Sequence, residues 1–170
     1  MTTTINASTS SGLVVTPDNS GNVLLQYNGQ SAPAFSAYNN TTQSISSSTE
    51  TKVTLGTEVF DTNNNFANST FTPTVAGYYQ LNGGIRVGGS SIGYVYLMFY
   101  KNGSRYQIPN SWPTGQVTIN SIISGSTIVY MNGTTDYVEL WGLIVATSPQ
   151  FLYNDASSSC FFSGCLLRGA

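Results

Sequence analysis

Apolar and polar positions alternate over short runs along most of this chain. Clusters of Asn, Gly, Asp and Ser separate the runs. No stretch carries the apolar spacing of a helix of useful length. Ala and Leu are sparse, and β-branched and aromatic residues fill the apolar runs, so strands are predicted throughout. Turn signals stand at Asp18-Asn-Ser-Gly21, Asn28-Gly29, Asn102-Gly103 and Asn132-Gly133. Asn-Gly between apolar runs favours a type I′ hairpin, which needs positive φ at both central residues. Residues 94–100 are therefore expected to turn at Asn102-Gly103 into residues 105–108, and residues 126–131 at Asn132-Gly133 into residues 136–145. Many short strands with such turns predict an all-β sandwich or jelly roll.

The pattern divides the chain near residue 30. Residues 1–30 read as an N-terminal arm, a polar lead followed by one hairpin. A lone hairpin is marginal in water, so its apolar residues Leu13, Val15, Leu24 and Tyr27 are the expected docking contacts. They would lie on the same chain, on sister subunits or on a larger assembly. Ser31-Ala-Pro33 marks the boundary, residues 31–170 form the main domain, and residues 39–50 read as a long loop.

Two runs break the alternation. Residues 94–100 contain no polar position, and residues 160–167 almost none, so both are expected to be buried on two faces. A two-layer sandwich offers a strand only one face against its own core. The second face then calls for another chain, which implies an obligate oligomer. The competing reading is a Tyr-rich face left half-exposed.

Composition narrows the function. Charged residues make up 7% of the chain, five Lys or Arg against seven Asp or Glu, with no His, while 11 Tyr, 8 Phe and 2 Trp can build a core. Ser, Thr, Gly and Asn together approach half of the sequence. Five scattered cations at net charge −2 give no footprint for nucleic acid or an anionic membrane. Absence of His removes the usual general base and the commonest metal ligand, so no cofactor is expected. No apolar run is long enough to span a bilayer, and the N-terminus lacks the pattern of a signal peptide, which predicts folding in a cytoplasm. Cys160 and Cys165 would stand about 16 Å apart on one strand, too far for a disulfide, and read as small buried hydrophobes.

Five stretches carry a resemblance. They are Pro33-Ala-Phe-Ser-Ala-Tyr38, Phe71-Thr-Pro-Thr-Val-Ala-Gly77-Tyr-Tyr79-Gln-Leu81, Leu97-Met-Phe-Tyr-Lys101-Asn-Gly103, residues 124–138, and Phe162-Ser-Gly-Cys-Leu-Leu167. In order and spacing they resemble the globular heads of complement C1q and their tumour-necrosis-factor-like relatives. The segment from Val59 to Phe66 is shorter than the family pattern, and Cys165 stands where an aromatic is usual. The resemblance implies a ten-stranded jelly roll that assembles as a homotrimer, one sheet of each subunit lining the three-fold axis. More weakly, residues 5–26 resemble segments that precede such domains in virion proteins of tailed phages.

These expectations assign residues. Phe35, Tyr79, Tyr94, Tyr96, Met98, Tyr100, Phe162 and Leu166 are the candidates for core and trimer packing. Tyr106 and Trp112, the latter in a loop between prolines, are candidates for contact with a partner or a glycan. Glu58 and Asp61, three apart on an extended chain, point to opposite faces and make no acid–base pair. Asp18, Asp61, Asp136 and Asp155 are too spread to hold calcium. The expected function is that of a non-enzymatic homotrimeric virion protein assembled in a host cytoplasm. Its partners would be its own copies and the major capsid protein or other virion proteins, as in capsid decoration. The alternative is a trimeric receptor- or glycan-binding head on a phage tail fibre or bacterial surface, with a host surface glycan as partner.

Overall fold

The computed structural model of the chain describes residues 26–27, 30–153 and 159–170. Leu13, Val15 and Leu24, the side chain of Tyr27, and the turns at 18–21 and 28–29 lie outside the described residues. In chain order the strands are β1 (Gln26–Tyr27), β2 (Gln30–Ser31), β3 (Ala34–Tyr38), β4 (Gln43–Ser44), β5 (Thr51–Lys52), β6 (Thr57–Asp61), β7 (Phe66–Ala67) and β8 (Thr70–Phe71). There follow β9 (Gly77–Ser90), β10 (Val95–Lys101), β11 (Ser104–Trp112), β12 (Ile122–Met131), β13 (Val138–Ile144), β14 (Thr147–Phe151) and β15 (Phe161–Gly169). No helix is present among the described residues, so none is long and apolar enough to cross a membrane.

Two antiparallel sheets face each other. The first runs β11-β10-β13-β8-β7, with β5 also on β13. The second runs β4-β14-β9-β15-β3-β6, and β12 pairs with the free flank of β9. Odd residues of β9 and β12 point inward and even ones outward, the period-two pattern of a sheet with one buried face. Between the layers lies an aromatic core in which Phe35 stacks on Phe71 at 4.2 Å and on Phe66 at 4.9 Å, with Phe162 edge-on at 4.9 Å. Tyr79 is fully buried, and its hydroxyl donates to the Val75 carbonyl at 2.7 Å, which satisfies its polar end. The layers close tightly at Gly83, where a Cβ would lie 2.4 Å from a Leu140 methyl carbon and that side chain would have to shift.

The Asn102-Gly103 hairpin forms as expected, with φ of 52° and 75° joining β10 to β11. The second expected hairpin does not. β12 pairs with β9 and β13 with β10, so the Asn132-Gly133 segment carries the chain from one sheet to the other. The Asn132 side-chain oxygen accepts from the amides of Thr134, Thr135 and Asp136, each at 3.0 Å, and this builds a wider loop than a two-residue turn. The loop expected at 39–50 contains β4, and the segment after it lies along β13.

Side chains, rather than a ladder, close the edge between β11 and β12. Lys101 Nζ donates to the Tyr130 carbonyl at 2.7 Å, Tyr106 to Ile128 at 3.2 Å and Asn110 to Ser124 at 2.8 Å, and Thr127 bonds Gln107. The carbonyls of Ser124, Ile128 and Tyr130 on the outer edge of β12 thus take donors from the other sheet.

Candidate functional site

The two sheets treat their outer faces differently. On the first sheet, β10 carries the run expected to be buried twice, and the chain itself covers its second face. Met98 is fully buried with Tyr100 and Leu143, and Tyr96, Trp141 and Val145 pack around them. The Tyr100 hydroxyl donates to Glu50, which also pairs with Arg105. Lys52 pairs with Glu139 at 2.7 Å, and the Trp141 indole N–H donates to Glu139 at 3.0 Å. This face therefore does not need another chain to bury Met98: its own side chains close it, and Glu50 and Lys52 reach in from the segment alongside β13.

Among the described residues nothing covers the second sheet in this way. Cross-strand partners share a face, so Ile128 of β12, Gln80 of β9, Cys165 of β15 and Ala34 of β3 form one outward row. Beside it Tyr130 and Tyr78 form the next row, ring centroids 5.5 Å apart, with Lys101 Nζ 5.8 Å from the Tyr130 ring. A third row is small and polar: Ser126, Asn82, Ser163 and Ser36, ending on Phe60. Tyr78, Ile128 and Tyr130 are 48%, 54% and 41% exposed, and Ile122, Phe60 and Leu167 are also open to solvent. The run at 160–167 is thus buried on one face and bare on the other. Cys165 is exposed, which corrects its reading as a buried hydrophobe, whereas Cys160 is buried and its thiol is pushed up to about 11 by burial.

Among the described residues three ion pairs lie on the first sheet and its margins, whereas Glu58, Asp61, Arg86 and Arg168 stand on strands of the second. Lys101 pairs with Asp136 at 2.8 Å, and Asn102 Nδ2 donates to the same carboxylate at 2.8 Å. The hydrogen bonds from Lys101 and Asn102 hold Asp136 below the usual carboxylate range, against a smaller opposing effect of burial. Burial pushes Glu139 up, but hydrogen bonds from Lys52, Trp141 and Thr70 outweigh it and leave the group lowered. Asp61 accepts the amides of Phe66 at 2.6 Å and Asn63 at 3.2 Å, a turn-capping role. Glu58 stands on the same strand, exposed. Among the described residues no three acidic, Cys or His side chains gather into a metal site.

The remaining expected residues fall in separate places. Phe35, Tyr79 and Phe162 lie in the core, and Leu166 packs against it. Tyr94 precedes β10 and is 38% exposed. Tyr106 belongs to the β11–β12 edge. Trp112 is not in a loop: it ends β11, paired with Val95, half-buried against the core. With Tyr94, Tyr96, Ser111, Pro113 and Thr114 it lines a groove of about 430 Å³ at one end of the sandwich. Trp112 is legible in the sequence as a candidate, and its grouping with Tyr94 follows from the Asn102-Gly103 turn, which brings the start of β10 beside the end of β11.

No family model and no curated protein matches the sequence. Solved structures match the fold. The globular domain of zebrafish complement 1qA protein is 18% identical, with TM-score 0.53, over 82% of this chain and 99% of that one. Murine APRIL at pH 5.0 is 10% identical, with TM-score 0.57, over 80% and 99%. The domain is an all-β jelly roll of the C1q and tumour-necrosis-factor type, with additional two-residue strands beyond the ten expected.

Proposed function

We propose that the chain is a non-enzymatic homotrimeric structural protein whose second sheet packs against its own copies. The observation that carries this reading is the pair of bare rows holding Ile128 and Cys165, and Tyr78 and Tyr130, on a sheet whose opposite face is buried. Monomers rarely leave contiguous aromatic and aliphatic surface of this kind open, because covering it gains about 25 cal/mol per Å². This face also carries two cations, Arg168 opposite Tyr78 and Arg86 opposite Ile122, which an assembly has to pair or leave at its rim. The resemblance to C1q-type heads supports three as the copy number.

The setting we propose is a virus particle, with the jelly roll as the trimer body and residues 1–30 as the segment that docks it, as in capsid decoration. Its support is the N-terminal resemblance to phage virion segments.

Native mass spectrometry of the full chain tests the trimer: a mass three times 18.1 kDa is expected. A stable monomer at micromolar concentration overturns it. Quantitative proteomics of purified particles tests the setting, with a copy number that is a multiple of three expected and absence from particles contradicting it.

A further inference from the structure

The end groove has a composition that the trimer does not use. Tyr94 and Tyr96 project from the same face at the start of β10, ring centroids 5.2 Å apart and 37° from coplanar. Trp112, at the end of β11 opposite the buried Val95, packs on the core and borders the groove. Ser111 and Thr114 add hydroxyls at the rim, and Pro113 stiffens the exit from the strand. No charged residue contributes to the lining.

We infer that this groove is a binding site for a neutral saccharide. Its volume of about 430 Å³ falls within the roughly 300–1,000 Å³ usual for small-ligand sites. The apolar face of a pyranose ring matches a flat aromatic surface, and its hydroxyls match the Ser111 and Thr114 hydroxyls. An anionic sugar would find no cation to offset its desolvation, and a flat lipid surface would find neither basic residues nor a protruding apolar edge.

Its position fits a recognition role. The chain enters the jelly roll at β3, where Ala34 pairs with Cys165 and Cys165 with Gln80, near the start of β9. Tyr94 follows the far end of β9 by four residues, so roughly 30 Å of strand separates the groove from the entry point. A domain held by its N-terminal side presents this groove outward. Three copies on one trimer raise the avidity of a weak site by about 10²-fold or more when the ligands are clustered.

The test is a glycan array probed with the full-length protein, followed by calorimetry with the neutral oligosaccharides that score. Neutral glycans are expected to bind, with affinity falling more than tenfold in both Tyr94→Ala and Trp112→Leu. Tyr94→Ala, at an exposed position, keeps its thermal midpoint and native mass, so its loss of binding is not a loss of fold or assembly. Tyr106→Phe, on the β11–β12 edge, binds as the parent does. No neutral glycan bound, binding restricted to charged glycans, or binding unchanged in Tyr94→Ala each overturns the inference and leaves the trimer reading untouched.

Discussion

Tyr100 and Trp141 stand face to face on adjacent strands, ring centroids 4.3 Å apart and planes within 15° of parallel. The pair roofs Met98, the residue directly opposite Trp141 in the β10–β13 register. Both rings also carry a polar end to the same acidic margin, Tyr100 to Glu50 and Trp141 to Glu139. A run that looks in sequence as if it needed a neighbouring chain is thus sealed by aromatic stacking within one chain.

Trp141→Ala removes the stack and one hydrogen bond to Glu139 together. Full burial would place the loss at about 3–5 kcal/mol; a half-buried Trp141 puts it at about 2–3 kcal/mol. Trp141→Phe keeps a ring on Tyr100 and loses about 1 kcal/mol. Urea unfolding should show a lower midpoint at unchanged slope, with the native mass unaltered. An unchanged midpoint for the alanine variant would mean that the cluster does not stabilise the sheet.

Acid should weaken the protein through Asp136 and Glu139. Both carboxyls are held below their ordinary values in the folded state, so the unfolded chain takes up protons first as pH falls. Their contribution is complete above the unfolded carboxyl range, about pH 4, and is lost as pH drops through the lower folded values. Asp136→Asn removes one of the two groups and is expected to lower the thermal midpoint at pH 7. The further fall between pH 7 and pH 3 should be smaller than in the parent protein. Equal falls in both proteins would show that the Lys101 and Asn102 contacts do not bind the charged form preferentially.

What the chain disclosed in advance was what local chemistry dictates. Phe35, Tyr79 and Phe162 sit at inward positions of alternating runs, and Asn102-Gly103 has the φ values its turn demands. Asn132-Gly133 offers the same dipeptide, yet its fate depends on Asp136, which Lys101 and Asn102 hold on the other hairpin. That contact spans 34 positions and leaves no local signature. Trp112 misled through its prolines: β11 is an edge strand, where Pro109 lacks no ladder partner it would need, so the strand runs on to Trp112. The cover of Met98 was hidden because sequence tells that a face is apolar, and not which chain lies over it.

Charge placed on the bare face of the second sheet separates assembly from folding. Ile128 is more than half exposed in the single chain, so Ile128→Asp costs little in the fold but places a carboxylate in the proposed contact. Sedimentation velocity should show the variant as a folded monomer where the parent sediments as a trimer. Thr54→Asp, at an exposed position beyond that sheet, serves as the control and should leave the trimer intact. Retention of the parent's mass by Ile128→Asp would remove this face from the interface.

The two cysteines give a second, chemical reading of the same face. Cys160 is fully buried, its Sγ 3.6 Å from the Leu152 carbonyl, and burial pushes its thiol up to about 11. It should therefore react with a thiol reagent only on unfolding. Cys165 is exposed in the single chain and stands in the outward row between Gln80 and Ala34. In an assembly built on this row it is covered, and the native protein should present no reactive thiol at neutral pH. Ile128→Asp should then release one reactive thiol while the protein remains folded, and denaturant should release the second. Rapid modification of Cys165 in the native parent protein, at concentrations where the mass is that of a trimer, would place the subunit contact on some other surface.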